Sequence, residues 1–325
     1  MLAGRPAGPQ NPRLPPPQPG APLAPSSPPR TMPQHPRLVL SLTLGTLLCA
    51  GLAFARPQTQ EVEVKTEKVA GNVSLLVGKG GNVGVCASPD GVVVIDTQFA
   101  DMAPKLLAAI AELSPAPLSF VVDTHWHGDH VGGNESFAAK APVIAHEEVR
   151  RRMAAGSARQ PAAPARALPV LTYGEGVRLY VAGEDIEVRH VGPAHTDGDS
   201  IVWFHTSNVV HLGDLFFNGL FPFVDLDSGG SVRGLTETVG KLLQELPKDV
   251  RLIPGHGPAA KLEDLARYHA MLVDAQALVK AALAAKKDVA AMKQEKLLSK
   301  YSSWNWAFID EGKFLDTLVR EATAR

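Results

Sequence analysis

The sequence predicts an α/β fold in which two β-sheets pack face to face and helices cover their outer surfaces. Its 325 residues are 45% hydrophobic, enough for a sizeable core. Runs of β-branched residues occur in two blocks, and helical spacing follows within and after each block. With 32 basic and 33 acidic side chains, the formal net charge is -1. That balance gives no positive field for nucleic acid, so we expect a small-molecule partner and no nucleic-acid partner.

The chain begins with a segment that differs from the rest in composition. Residues 1–31 are rich in proline and contain no acidic side chain, so we predict a disordered extension. Because Met32 begins a conventional leader of its own, we interpret this extension as the product of a mis-assigned start codon.

Residues 32–55 are typical of a secretory signal peptide. A basic lead precedes an apolar run from Leu38 to Phe54, and the small residues Ala53 and Ala55 predict cleavage before Arg56. The alternative is a membrane anchor, but the run is at the short end for a spanning helix. We therefore expect an exported, periplasmic protein with no membrane span after cleavage. Its mature domain would be residues 56–325, and its oligomeric state is left open.

The first block of strands predicts a meander with tight turns followed by alternating helices and strands. Glycine-rich turns separate its early runs, and proline ends its first helix. The predicted strands are Val62–Val77, Asn82–Ala87, Gly91–Asp96, Ser119–Asp123 and Pro142–Ala145, and the predicted helices are Ala103–Leu113 and Glu147–Ala155. An Ala/Pro-rich loop follows from Gly156 to Pro169. Cys86 lies in an alternating apolar stretch and is expected to be a buried small hydrophobe.

The second block repeats this order of strands and then helices. We predict strands at Val177–Val181, Ile186–Val191, Ile201–Phe204, Val209–Leu212 and Arg251–Pro254. The predicted helices are Val232–Leu246, Leu262 to about Lys287, and Phe314–Ala324. The aromatic segment Ser302–Asp310 is expected to dock the terminal helices on the body of the domain.

A dense group of metal-binding side chains follows the strand that ends at Asp123. The segment Thr124-His-Trp-His-Gly-Asp-His130 places three imidazoles and a carboxylate on one strand-end loop. Imidazole and carboxylate are ligands for zinc or iron, and a cluster of imidazoles is costly to bury without compensation. The segment therefore predicts a metal site.

This H-x-H-x-D-H motif resembles that of the metallo-β-lactamase fold superfamily. Three later phrases match the family pattern in order: His195 in Gly-Pro-Ala-His-Thr, Asp214 in Leu-Gly-Asp-Leu-Phe and His256 in Pro-Gly-His-Gly. The resemblance covers about Val62 to His256 and implies a four-layer αββα sandwich of the metallo-β-lactamase type.

The resemblance also implies two metal ions, zinc, with iron or manganese as alternatives. It assigns one ion to His125, His127 and His195, a second to Asp129, His130 and His256, and makes Asp214 the bridge. Two such ions can lower the pKa of a shared water so that hydroxide attacks a carbonyl carbon. Asp129 would be the catalytic residue that orients this hydroxide and carries its proton.

Other residues have both a functional and a structural interpretation. Asp96 matches a family position that contacts metal ligands without binding the metal, and we favour this role. The structural alternative is a surface carboxylate. Aromatic side chains could line an apolar substrate mouth or simply pack in the core: Trp126, Phe221 and Phe223 foremost, with Phe216 and Phe217. Five histidines match no ligand position and are expected to be hydrogen-bonded or at the surface: His146, His190, His205, His211 and His269.

The motifs leave the substrate open. The phrase around His195 is similar to that of true β-lactamases, although one lactamase subclass has a cysteine where this chain has Asp214. The phrases around Asp214 and His256 are similar to those of glyoxalase II, lactonases and exported cyclase-like members, but the basic residues that bind glutathione in glyoxalase II have no counterpart. We expect a dinuclear zinc hydrolase for a small amide, lactam, lactone or ester. The alternatives are a mononuclear iron oxygenase of the persulfide dioxygenase kind and a non-catalytic metal-binding accessory protein.

Overall fold

A computed structural model describes residues 62–324 of the chain. The predicted extension (1–31) and signal peptide (32–55) lie outside these residues. The described part contains two β-sheets flanked by helices, which confirms the predicted αββα sandwich.

The first sheet has seven strands in the sequential order β1-β2-β3-β4-β5-β6-β7. Its first four strands pair antiparallel, and the pairs from β4 to β7 are parallel. The strands are β1 Lys65–Ala70, β2 Val73–Val77, β3 Val83–Ser88, β4 Gly91–Ile95, β5 Leu118–Val122, β6 Val143–His146 and β7 Leu171–Tyr173.

The second sheet has six strands in the order β13-β12-β11-β10-β9-β8. All its pairs are antiparallel except β11 with β12. The strands are β8 Gly176–Val181, β9 Glu184–His190, β10 Ser200–Phe204, β11 Val209–Phe217, β12 Arg251–His256 and β13 Ala260–Lys261.

Helices cover the outer faces, and their starts follow from capping residues. Ser231 accepts a hydrogen bond from the backbone N–H of Gly234 (3.0 Å), and Asp310 accepts one from Lys313 (2.8 Å). The helices are α1 Ala103–Leu113, α2 Gly128–Val131, α3 Asn134–Ala138, α4 Glu147–Ala155, α5 Val232–Glu245, α6 Leu262–Ala284, α7 Val289–Gln294 and α8 Glu311–Thr323. Short 3-10 turns lie at Ala100–Met102, Ala165–Ala167, Leu226–Ser228 and Ser299–Trp304.

Apolar clusters among the described residues hold the four layers together. One lies between the sheets and joins side chains such as Val93 and Ile95 of β4 to Val202 of β10. A second packs α1 and α3 on the outer face of the first sheet, and a third packs α5, α6 and α8 on the second sheet. Cys86 is fully buried in the cluster between the sheets, as expected, and burial raises the pKa of its thiol to about 12.

The differences from the predicted elements lie mainly in short pieces. The run Val62–Val77 forms two strands because Gly71, at φ +47°, turns the chain between them. Strand β7 is not among the predicted strands. It is an edge strand of three residues, and sequence periodicity does not detect an element of that length. Within the described residues, no helix combines the length and apolarity needed to span a membrane.

Candidate metal centre

Seven side chains from distant parts of the chain meet where strands of both sheets end. His125 and His127 follow β5, Asp129 and His130 lie in α2, and His256 ends β12. His195 lies on the loop between β9 and β10, and Asp214 lies within β11. All seven predicted ligands are therefore brought together, in the two groups that the resemblance implies.

The first group consists of His125, His127, His195 and Asp214, whose ligand atoms lie within 4.8 Å of one another. Nδ1 of His127 is 2.8 Å from Nε2 of His195. Oδ2 of Asp214 lies 3.3 Å from Nε2 of His195 and 3.7 Å from Nε2 of His125. Three nitrogens and one carboxylate oxygen thus converge on one point.

The second group consists of Asp129, His130 and His256. Nε2 of His130 is 3.4 Å from Nε2 of His256, and Oδ2 of Asp129 lies 3.3 Å from the same nitrogen of His256. His130 is fully buried, whereas the side chain of Asp129 is 27% exposed. Asp129 is therefore the most accessible member of this group, followed by His256, whose side chain is 13% exposed.

Asp214 lies between the two groups and faces both. Its Oδ2 points to the first group, while its Oδ1 is 3.1 Å from Nε2 of His130 and 3.4 Å from Nε2 of His256. Close backbone approach makes room for this carboxylate, because a Cβ on Gly255 would lie 2.0 Å from Oδ1 of Asp214. The geometry is that of a carboxylate shared by two sites.

A buried relay behind the ligands orients two of the imidazoles. Oδ2 of Asp96 lies 2.7 Å from Nδ1 of His130 and accepts a hydrogen bond from the Thr124 hydroxyl (2.8 Å). The Thr124 hydroxyl oxygen is in turn 3.0 Å from Nδ1 of His125. When both Nδ1 atoms carry the proton, the Nε2 lone pairs of His125 and His130 face the ligand groups. Asp96 therefore lies where its supporting role requires; Thr124 adds a link that the sequence did not reveal.

Two further contacts orient the remaining imidazoles of the first group. Nδ1 of His195 donates to the carbonyl of Phe223 (2.7 Å), which leaves Nε2 for the site. Nε2 of His127 lies 3.0 Å from Oδ2 of Asp225, which leaves Nδ1 for the site. Asp225 is a functional residue that sequence reasoning missed, since no local motif marks it.

The charges of the site are strongly coupled. Burial lowers the pKa of His195 to about 4 although Asp214 opposes this. Burial alone would also lower the pKa of His256, but Asp214 and Asp129 raise it to about 9. The neighbouring imidazoles of His130 and His256 outweigh burial and lower the pKa of Asp129 to about 2. Despite burial, the imidazoles around Asp214, that of His130 foremost, hold the pKa of its carboxyl well below its usual range, so Asp129 and Asp214 are both ionised and attract positive charge.

The residues fit divalent metal ions. Nε2 of His125 is buried and has no hydrogen-bond partner, and Oδ1 of Asp214 is buried with only the ring nitrogens of His130 and His256 beside it. Imidazoles that give up their proton to a metal ion, together with ionised carboxylates, form the donor set that zinc prefers. Ions in both groups would supply the positive charge that the carboxylates require and would satisfy the orphaned atoms.

A cavity of about 610 Å³ lies over the two groups, and His127, Asp129 and His256 form part of its lining. Of the aromatic residues predicted at a substrate mouth, Trp126, Phe217 and Phe223 line this cavity. The prediction for Phe221 is wrong: its side chain is fully buried and stacks on Phe314 (ring centroids 5.2 Å apart).

Other aromatic predictions turn out differently. Phe216 is also a core residue, buried against Tyr268. Trp306 and Phe308 line the cavity instead, although their segment was expected only to dock the terminal helices.

The five histidines outside the predicted ligand set join neither group. His146 and His190 stack on each other with ring centroids 3.9 Å apart. His211 is fully buried; its Nε2 is 3.2 Å from the carbonyl oxygen of Asn82, and its Nδ1 accepts a hydrogen bond from the Gly213 N–H. These contacts agree with a structural role for these residues.

Comparison with known sequences matches residues 76–256 to the profile of the metallo-beta-lactamase superfamily. A metallo-beta-lactamase type 2 of Bacteroides fragilis is 22% identical over 167 residues, covering 50% of this chain and 64% of the relative. A hydroxyacylglutathione hydrolase of a Polaromonas species is 31% identical over 151 residues, covering 46% of this chain and 52% of the relative. The chain thus spans about half to two thirds of the length of these relatives.

A solved structure has the same fold. The metallo-beta-lactamase from Pontibacter korlensis superposes with a TM-score of 0.56 at 20% identity, covering 65% of this chain and 99% of the other. The matched profile spans more than half of the sequence and includes all seven residues of the two groups. The chain belongs to the metallo-β-lactamase superfamily.

Proposed function

We propose that this protein is a hydrolase that uses two divalent metal ions, zinc foremost, to cleave a small amide, lactam, lactone or ester. The observation that carries this proposal is the position of Asp214, with one carboxylate oxygen towards each group of ligands. Two ions sharing such a carboxylate would polarise water and the substrate's carbonyl oxygen. His125, His127 and His195 would hold one ion, and Asp129, His130 and His256 the other.

The side chain of Asp129 is suited to handling the proton of the attacking water. It lines the cavity, is partly exposed and keeps a pKa of about 2, so it is an anion at neutral pH. An anionic carboxylate at that place can accept a hydrogen bond from water, orient its oxygen and pass its proton to the leaving group. Asp96 and Asp225 act at a distance by holding imidazoles in the tautomer that binds metal.

The cavity supports a small-molecule substrate. Its volume of about 610 Å³ lies in the usual range for small-ligand sites. The relatives include a metallo-beta-lactamase and a hydroxyacylglutathione hydrolase, whose names describe cleavage of a lactam and of a hydroxyacylglutathione. We extend the proposal to amides, lactones and esters because one fold carries many chemistries on the same ligand set. The leader predicted at residues 32–55 supports export to the periplasm as the place of action.

The test is turnover of a panel of lactam, lactone, ester and thioester substrates by the full chain loaded with zinc. We expect metal-dependent hydrolysis of at least one class, with kcat about a hundredfold lower in Asp129→Asn when it is assayed at a zinc concentration that keeps both ions bound. Asp185→Asn, which changes an exposed carboxylate of β9, is the matched control and should leave kcat unchanged.

Two results would contradict the proposal. A chain with both ions bound and no turnover of any class would indicate a metal-binding accessory protein. A single bound iron with dioxygen-dependent oxidation of a persulfide would indicate an oxygenase.

A further inference from the structure

One wall of the cavity is built by the segment that follows the last ligand. Trp306 and Phe308 line the cavity but lie beyond residues 76–256, the part that matches the superfamily profile. This wall is therefore a feature of this chain's own C-terminal region and not of the matched domain.

Hydrogen bonds to the core fix this segment in place. Nε1 of Trp306 donates to the carbonyl of Phe221 (2.9 Å), and the backbone N–H of Phe221 donates to the carbonyl of Trp304 (2.9 Å). Nζ of Lys313 donates to the carbonyl of Phe308 (2.7 Å). Because Trp304 and Trp306 are bound to the core and the Phe308 carbonyl to α8, the aromatic rings of the segment are positioned before any ligand arrives.

The rings of this wall form a continuous aromatic surface that starts at the metal ligands. The Trp306 centroid is 5.3 Å from that of His256, and the Phe308 centroid is 5.7 Å from that of Trp306. Phe308 is also 5.4 Å from Phe223, whose ring is 5.6 Å from that of His127. The surface thus runs from both ligand groups out to Phe308, which is 54% exposed.

The geometry of these rings favours another ring as their partner. Phe308 meets Phe223 and Trp306 at interplanar angles of 65° and 66°, so both pairs are edge to face. A further ring placed against the exposed part of Phe308 can adopt the same geometry or an offset stack, which adds to the stabilisation from buried area. An alkyl group of similar size gains only the area term.

We propose that Trp306 and Phe308 form a subsite for an apolar ring carried by the substrate on its non-reacting side. The substrate class is then an aryl-substituted ester, lactone, lactam or amide. This inference rests on the proposed function, since the subsite acts on the molecule that the metal centre cleaves. Phe308 is a specificity-determining residue and touches no reacting atom.

The experiment compares ethyl phenylacetate, which carries a ring on its acyl side, with ethyl acetate as substrates of the zinc-loaded full chain; both esters release ethanol. The variants are Phe308→Ala, which removes the ring, and Phe308→Tyr, which keeps it. Tyr180→Ala is the matched control, because Tyr180 is an aromatic residue of β8 that is 75% exposed and does not line the cavity. Binding of 2-phenylethanol, which has no bond to hydrolyse, is measured in parallel by saturation-transfer NMR.

We expect Phe308→Ala to raise KM for ethyl phenylacetate about fivefold without changing kcat, because one aromatic pair that contributes equally to the ground state and the transition state is lost. KM for ethyl acetate should not change, and 2-phenylethanol should bind correspondingly more weakly. Phe308→Tyr and Tyr180→Ala should behave as the unmodified chain. An equal change in KM for both esters, or none for ethyl phenylacetate, would overturn the subsite.

The binding arm separates this inference from the proposed function. If neither ester is hydrolysed, weaker 2-phenylethanol binding in Phe308→Ala alone still supports the subsite while the hydrolase proposal loses support. Unchanged 2-phenylethanol binding in Phe308→Ala overturns the subsite whether or not the esters are cleaved.

Discussion

Replacing Asp96 by asparagine tests how the site keeps its imidazoles ready for metal. The carboxylate of Asp96 is fully buried and makes three contacts of 2.7–2.8 Å, to the Thr124 N–H, the Thr124 hydroxyl and Nδ1 of His130. Asparagine has a similar shape but presents an NH₂ group in place of one oxygen. If its remaining oxygen stays on the Thr124 N–H, the NH₂ group faces the other two partners.

The expected loss follows from these two contacts. A donor facing Nδ1 of His130 favours the tautomer with the proton on Nε2, and that nitrogen can then no longer bind a metal ion. Disturbing such a supporting partner typically weakens metal binding about 10- to 100-fold. The lost hydrogen bonds of a buried carboxylate should also lower the free energy of unfolding of the metal-free protein by about 3 kcal/mol.

Zinc affinity is measured by competition with a chromophoric chelator, and stability by urea unfolding of the metal-free chain. The ion held by His130 should be weakened most, and the ion held by His125 less, because its link to Asp96 passes through Thr124. Asp185→Asn, at a partly exposed carboxylate paired with Arg178, is the control; it should leave zinc affinity unchanged and lower stability by at most about 1 kcal/mol. Unchanged zinc affinity in Asp96→Asn would refute the argument from tautomers.

Two further predictions concern residues on either side of the ligand groups. Asp225→Ala removes the partner of His127 Nε2 and should weaken zinc binding in the first group about tenfold in the same competition assay. Asp227→Ala changes an exposed neighbour on the same loop and should leave zinc affinity unchanged. Equal zinc affinities in both variants would contradict the role assigned to Asp225. His211 is buried as a neutral imidazole with a pKa of about 4, below its ordinary value of 6.5, so the unfolded chain takes up this proton first as the pH falls. Its contribution to stability is therefore complete above pH 6.5 and is lost between pH 6.5 and 4, by at most about 1.4 kcal/mol per pH unit. Urea unfolding of the metal-free chain at pH 6.5 and 4.5 should show a smaller loss in His211→Gln than in the unmodified chain, and identical losses would rule out this titration.

Much of the fold follows from local sequence patterns. Helices α1 and α4 begin and end where apolar spacing, proline and glycine place them, because those signals act within a few residues. Strand β11 extends beyond the predicted Leu212 to Phe217, since Gly213 and Asp214 interrupt the apolar run without interrupting the strand. Where buried polar residues of a site lie within a strand, hydropathy therefore predicts the end of that strand too early.

Residues of the candidate site can be predicted from the sequence only where they lie in local motifs. The seven ligand residues lie in compact phrases of histidine, aspartate and glycine, and the structure brings all of them together. Asp225 contacts His127 from a distant loop, and Trp306 reaches the cavity from beyond the matched domain. Such contacts depend on tertiary packing, which also decides that Phe221 faces the core while Phe223 faces the cavity.

If two metal ions share Asp214, each chain binds two ions. Counting the bound ions tests this most directly. The measurement is the metal content of the full chain, purified without chelator, by elemental mass spectrometry. We expect close to two zinc ions per chain, since each group supplies its own ligands and one oxygen of Asp214. A single ion per chain that does not rise to two when zinc is added would contradict it.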